Sequence, residues 1–225
     1  MHADKEKMRS IRCVVFGGYG TDMRQLTKKT RSIFDPSIPD LTHVLVPLQV
    51  ADLFSRRGHE RIHGMSSQYD IVHYTSASSF CLGTKCALDN KTIILDGVPY
   101  LRNDESLVRA CFPKALHHPR VEKVMRLTLD LMKFDDDWYA QYVSRIVHLG
   151  VSNRVYVIHS QRDAISTFAD ALPIIHQMVH AKRCILENAT HHAYHKHPEY
   201  AKFIRSAIMA HRDDEVVPGA LDGRS

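Results

Sequence analysis

Six short apolar runs recur along the chain: residues 11–16 (Ile-Arg-Cys-Val-Val-Phe), 42–48 (Thr-His-Val-Leu-Val-Pro-Leu), 69–74, 91–96 (Lys-Thr-Ile-Ile-Leu-Asp), 154–159 (Arg-Val-Tyr-Val-Ile-His) and 182–187 (Lys-Arg-Cys-Ile-Leu-Glu). They are too short for buried helices and rich in β-branched residues, so they read as strands. Near-continuous apolarity, rather than strict alternation, marks strands covered on both faces. Polar stretches separate them. Val50, Leu53 and Phe54 stand at helical spacing before the third run, and Pro198-Glu199-Tyr200 opens a last helix with proline in its first turn. Residues 97–153 are far more than one crossover requires. Within them Glu105–Phe112, Arg120–Lys133 and Asp136–Leu149 read as helices; Val121, Val124, Met125 and Leu131 form one apolar face, and Trp138, Tyr142, Val143 and Ile146 another.

Strands separated by helices imply right-handed crossovers and an α/β fold: a mostly parallel central sheet of about six strands with helices on both faces. Part of 97–153 is expected to form a small helical cap beside the carboxyl ends of the strands, shaping a substrate pocket. No repeat or linker divides the chain. The expected organisation is an N-terminal extension over 1–10, one domain over 11–211 and a flexible tail over 212–225.

Composition narrows the function. With 225 residues, 44% hydrophobic and 24% charged, the chain is of ordinary globular type. Its 30 basic and 25 acidic residues leave +5, but the basic ones are scattered, which argues against nucleic acid as a partner. No apolar run is long enough to span a membrane, and the opening Met-His-Ala-Asp-Lys-Glu-Lys-Met-Arg-Ser lacks the apolar core of a secretory signal; a cytoplasmic location is the expectation. The five cysteines (Cys13, Cys81, Cys86, Cys111, Cys184) lack paired metal-site spacing and read as reduced, buried thiols, with Cys13 and Cys184 in core strands.

The third run stops abruptly at Thr75-Ser76-Ala77-Ser78-Ser79, and an apolar segment with helical potential follows from Phe80. A serine at such a strand–turn–helix junction can hold its hydroxyl above the sheet edge, which makes Ser76 the candidate nucleophile. The usual pattern has glycine two residues before and two after; here Tyr74 and Ser78 occupy those positions. Sliding the frame by one residue makes Thr75 the alternative. After the first run, Gly17-Gly18-Tyr19-Gly20 allows close backbone approach, so the Tyr19 amide, together with that of Ala77, is a candidate oxyanion donor. The histidines at 191, 192, 195 and 197 invite a metal reading, but the glutamate of a zinc-protease helix is missing and Pro198 argues for a loop; no metal is expected.

Taken together, the Ser76 turn, Val-Tyr-Val-Ile-His-Ser-Gln-Arg-Asp ending at Asp163, and Ala-Thr-His-His-Ala-Tyr-His-Lys-His-Pro-Glu-Tyr resemble the α/β-hydrolase superfamily over roughly residues 11–210. The resemblance implies Asp163 as catalytic acid and His191 as catalytic base, with the order Ser, Asp, His along the chain. His192 is the alternative base, and Asp96, at another strand's carboxyl end, the alternative acid. The implied activity is cleavage of a carboxylic ester or thioester through an acyl-enzyme, without a cofactor, on a small-molecule acyl substrate. The other expectation is a catalytically silent α/β-hydrolase fold that binds a ligand or protein partner, motivated by the bulk of Tyr74 at the turn. The sequence does not set an oligomeric state.

Overall fold

The computed structural model describes residues 10–18, 21–34, 38, 40–49, 52–53, 55–83, 88–98, 136–164, 166–191 and 194–215. Six strands form one sheet: β1 (Ile11–Phe16), β2 (Leu41–Val46), β3 (Ile71–Thr75), β4 (Thr92–Asp96), β5 (Arg154–Arg162) and β6 (Lys182–Thr190). Every pairing is parallel, and the spatial order is β2-β1-β3-β4-β5-β6. Among the described residues, the α-helices of at least eight residues are α1 (Met23–Thr30), α2 (Arg56–Ser66), α3 (Asp136–His148), α4 (Phe168–Gln177) and α5 (Pro198–Glu215).

The period-two alternation of the strands sorts the core into two layers. Val14, Phe16, Val72, Tyr74, Ile93, Leu95, Val155 and Val157 face α2, α3 and α4 through Ile62, Tyr142, Ile146, Ala171 and Ile174. Cys13, Val15, Ile71, Ile94, Tyr156 and Ile158 face α1 and α5 through Leu26, Tyr200, Ile204 and Ile208. Burying a side chain of this size stabilises the fold by about 1.5–3 kcal/mol, and truncating fully buried Ile62 to alanine would cost roughly 2–5 kcal/mol.

Helix starts follow local chemistry. Asp22 and Gln25 form a reciprocal capping box on α1, and the Ser55 hydroxyl accepts the Gly58 amide at 3.0 Å to start α2. Asp52 and Leu53 are helical, in line with that spacing, while Val50 and Phe54 lie outside the described residues; in the helix that follows, residues 56–66 are polar apart from Ile62 and Met65, and their cap rather than their periodicity announces them. The segment after β3 is a 3-10 helix over Ser76–Gly83. Strands β5 and β6 run three residues beyond the apolar runs at 154–159 and 182–187, and α5 continues past Arg212 to Glu215. Cys13 and Cys81 are buried and in no disulfide, whereas Cys184 is half-buried. Of the expected cap, α3 is described; Glu105–Phe112 and Arg120–Lys133 lie outside the described residues. Among the described residues, no helix is long and apolar enough to cross a membrane.

Candidate active site

The strand order reverses direction between β1 and β3, because β2 lies on the far side of β1. At such a switch point the connections leaving the two carboxyl ends diverge and open a crevice. Ser76 follows β3 there, with φ of +52°. The other non-glycine residues with positive φ among those described are Asp40, Asn90 and Asn188, types that tolerate the left-handed region. Serine does not share that tolerance, and such a conformation costs on the order of 1–3 kcal/mol. The loop leaving β1 crosses close by: a Cβ on Gly18 would sit 2.9 Å from both Ser76 Cβ and the Thr75 carbonyl oxygen. Only glycine fits that approach.

Hydroxyl groups support the turn where glycines are usual. The Ser78 hydroxyl donates to the Thr75 carbonyl at 2.9 Å, Ser79 to the Ser76 carbonyl at 3.1 Å, and Thr75 to the Phe16 carbonyl at 2.8 Å. Tyr74 does not crowd the site. Its ring is buried in the layer beneath, stacked on Phe16 with centroids 5.5 Å apart. Its hydroxyl lies 2.8 Å from Ser66 Oγ, and since Ser66 donates to the Ile62 carbonyl, Tyr74 is the donor of that pair.

Asp163 and His191 are brought side by side by strand register. Arg162 pairs with Thr190, so the residues following them are neighbours across adjacent strand ends. An irregularity in β6, with Asn188 at φ +56°, takes up the extra residues, and the Ser160 hydroxyl donates to the Ala189 carbonyl. His191 Nδ1 then lies 2.7 Å from Asp163 Oδ2, and His191 Nε2 lies 3.4 Å from Ser76 Oγ. With Asp163 ionised, Nδ1 carries the proton and the Nε2 lone pair faces the serine hydroxyl. The His191 side chain is 12% exposed and that of Asp163 2%, so the imidazole meets solvent while its partner does not.

The Asp163 turn has its own support. Asp163 Oδ1 accepts the Ser166 amide at 2.9 Å, and the Ser166 hydroxyl donates to the Val98 carbonyl at 2.5 Å. His159 accepts the Val98 amide on Nδ1 at 3.3 Å, which leaves Nε2 to donate to the Ser166 carbonyl at 3.0 Å. Burial lowers the pKa of His159 and keeps this ring neutral, as those two bonds require. In the sequence Ser166 carries no signal of this role, and His159 only that of a histidine ending an otherwise apolar strand run.

The remaining site expectations fall elsewhere. Thr75 is buried, and its hydroxyl is committed to Phe16 rather than to His191. Asp96 Oδ2 accepts the Tyr200 hydroxyl at 2.7 Å and lies 3.4 Å from His73 Nε2. It belongs to a separate buried group. Ala77 follows Ser76 in the turn and is nearly buried. Tyr19 and His192 lie outside the described residues. Among the described residues no group of three or more His, Cys, Asp or Glu side chains could hold a metal ion.

No protein-family model and no curated protein matches the chain. Solved structures do match over nearly their whole length. A structure reported for carboxylesterases of Nitrososphaera gargenis is 10% identical, covers 92% of this chain and 93% of that one, and gives a TM-score of 0.60. The esterase domain of a Rhodothermus marinus protein is 12% identical over 92% and 89%, with a TM-score of 0.53. A thioesterase domain from the curacin biosynthetic pathway is 11% identical over 89% and 91%, with a TM-score of 0.52. The chain has the α/β-hydrolase fold, with a six-stranded all-parallel sheet and helices on both faces.

Proposed function

We propose that the protein is a serine hydrolase that cleaves a carboxylic ester or thioester through an acyl-enzyme, with Ser76 as nucleophile, His191 as general base and acid, and Asp163 orienting the imidazole. The observation that carries this reading is the aligned path from Asp163 through His191 to a serine held at φ +52°. The 3.4 Å between Ser76 Oγ and Nε2 is the loose hydrogen bond usual for an enzyme without substrate.

In the first step Ser76 Oγ bonds to the acyl carbon while its proton passes to His191 Nε2, and the carbonyl oxygen becomes an oxyanion. Asp163 remains ionised and stabilises the imidazolium. Collapse breaks the bond to the leaving oxygen or sulfur, which takes the proton from Nε2. Water then attacks the acyl-enzyme with His191 again as base, releasing the carboxylic acid and restoring the serine. The Ala77 and Tyr19 amides are the proposed oxyanion donors, each worth about 3–4 kcal/mol in such sites. The close passage of Gly18 over Ser76 supports that role for the loop after β1.

The test is turnover by the purified full chain of a panel of p-nitrophenyl esters and acyl thioesters of increasing chain length. Hydrolysis with a pre-steady-state burst, lost about 10⁴- to 10⁶-fold in Ser76→Ala, is the expected result. Turnover that survives Ser76→Ala contradicts the reading.

A further inference from the structure

The peptide unit that joins Ser76 to Ala77 contains both the Ser76 carbonyl and the Ala77 N–H. Its carbonyl oxygen accepts the Ser79 hydroxyl at 3.1 Å. The Ser79 oxygen in turn lies 3.1 Å from the Tyr142 hydroxyl on α3. A serine has one hydroxyl proton, and here it is committed to Ser76, so Tyr142 donates. Ser79 and Tyr142 are both buried, and burial raises the tyrosine pKa, which keeps the phenol protonated. Phe80 meets the Tyr142 ring edge-on with centroids 5.3 Å apart and fixes its position.

A hydrogen bond to an amide oxygen draws electron density from the nitrogen and makes the N–H of the same unit a stronger donor. In a low-dielectric interior such chains strengthen one another by roughly 10–30% per bond. We propose that Tyr142 and Ser79 are positioning residues of the hydrolytic reaction, which order and polarise the Ser76–Ala77 peptide so that the Ala77 amide binds the oxyanion more strongly. The proposal rests on the serine-hydrolase reading above. Ser78 supplies the contrast. It makes the same local bond to the Thr75 carbonyl at 2.9 Å, but the N–H of that peptide unit belongs to Ser76.

The test uses the second-order rate of labelling of the full-length protein by a fluorophosphonate, whose transition state also builds negative charge on oxygen. Ser79→Ala should label about fivefold more slowly and Tyr142→Phe about twofold more slowly, with folding checked by circular dichroism. Because the tyrosine acts through the serine, the double variant should match Ser79→Ala. Ser79→Thr, which keeps the hydroxyl, should return to within about twofold of the parent. The pH at which labelling switches on should stay in place while the plateau falls, which a general loosening of the site would not produce. Full-rate labelling of Ser79→Ala, or losses that multiply in the double variant, overturns the relay while leaving the Ser76 assignment standing. Failure of the parent protein to label overturns both. If Ser79→Ala does not fold, Tyr142→Phe decides: labelling at the parent rate rejects the relay.

Discussion

Two histidine–aspartate pairs stand at carboxyl ends of this sheet, and they differ in what the second nitrogen of the histidine meets. His191 and Asp163 are 2.7 Å apart, aligned for a hydrogen bond, with the far ring nitrogen directed at Ser76. His73 and Asp96 come within 3.4 Å, but neither ring nitrogen of His73 nor Asp96 Oδ1 makes a hydrogen bond among the described residues. Both side chains of that second pair are almost fully buried, and Tyr200 of α5 covers it by donating to Asp96. The difference lies in the third group and in access. A pair becomes a general base when its free nitrogen meets a nucleophile at a surface that substrate can reach. A pair sealed beneath a helix can only hold that helix in place.

Exchanging the charge of each aspartate separates these roles most sharply. Asp163→Asn should lower kcat about 10⁴-fold by removing the acceptor that sets the His191 tautomer. Asp96→Asn should cost less than about tenfold per folded molecule. Equal losses in esterase assays of the two variants would break the distinction. A smaller effect is expected on stability alone: Tyr200→Phe removes a hydrogen bond to a buried carboxylate and should cost about 1.5–3 kcal/mol in urea denaturation, with kcat per folded molecule retained.

The smallest effect concerns buried histidines outside either pair. Burial lowers the pKa of His59 and of His159 from the ordinary 6.5. The unfolded chain therefore takes up protons near that pH which the folded protein refuses. Their contribution to stability is complete above pH 6.5 and is lost as pH falls from there through the lower folded value. Urea midpoints should decline over that range, and His159→Gln should flatten the decline. A midpoint constant down to pH 5 would show that these rings accept protons without opening the fold.

Much of the sheet was legible because each strand is a compact apolar run between polar segments, and the register of adjacent strand ends then brings Asp163 to His191. Strand ends were less legible. Residues 160–162 and 188–190 are polar, and pairing rather than hydrophobicity keeps them extended. Helix α2 is weakly marked for a similar reason, since Gly58, His59 and Ser66 are buried without carrying an apolar signal. The bulk of Tyr74 suggested a blocked turn, but the neighbouring helix offers Ser66 at the point of contact, and the ring passes below the site. Ser79 and Tyr142 are 63 positions apart, and their contact exists only once α3 lies across the turn.

Ser76 is proposed to be an activated nucleophile. Its most direct test is reaction of the purified protein with a fluorophosphonate followed by peptide mapping, with Ser76→Ala and His191→Ala alongside. A single adduct is expected, on Ser76, absent from the Ser76→Ala protein and strongly reduced in His191→Ala. An adduct on Thr75, or a folded protein that forms none, would contradict it.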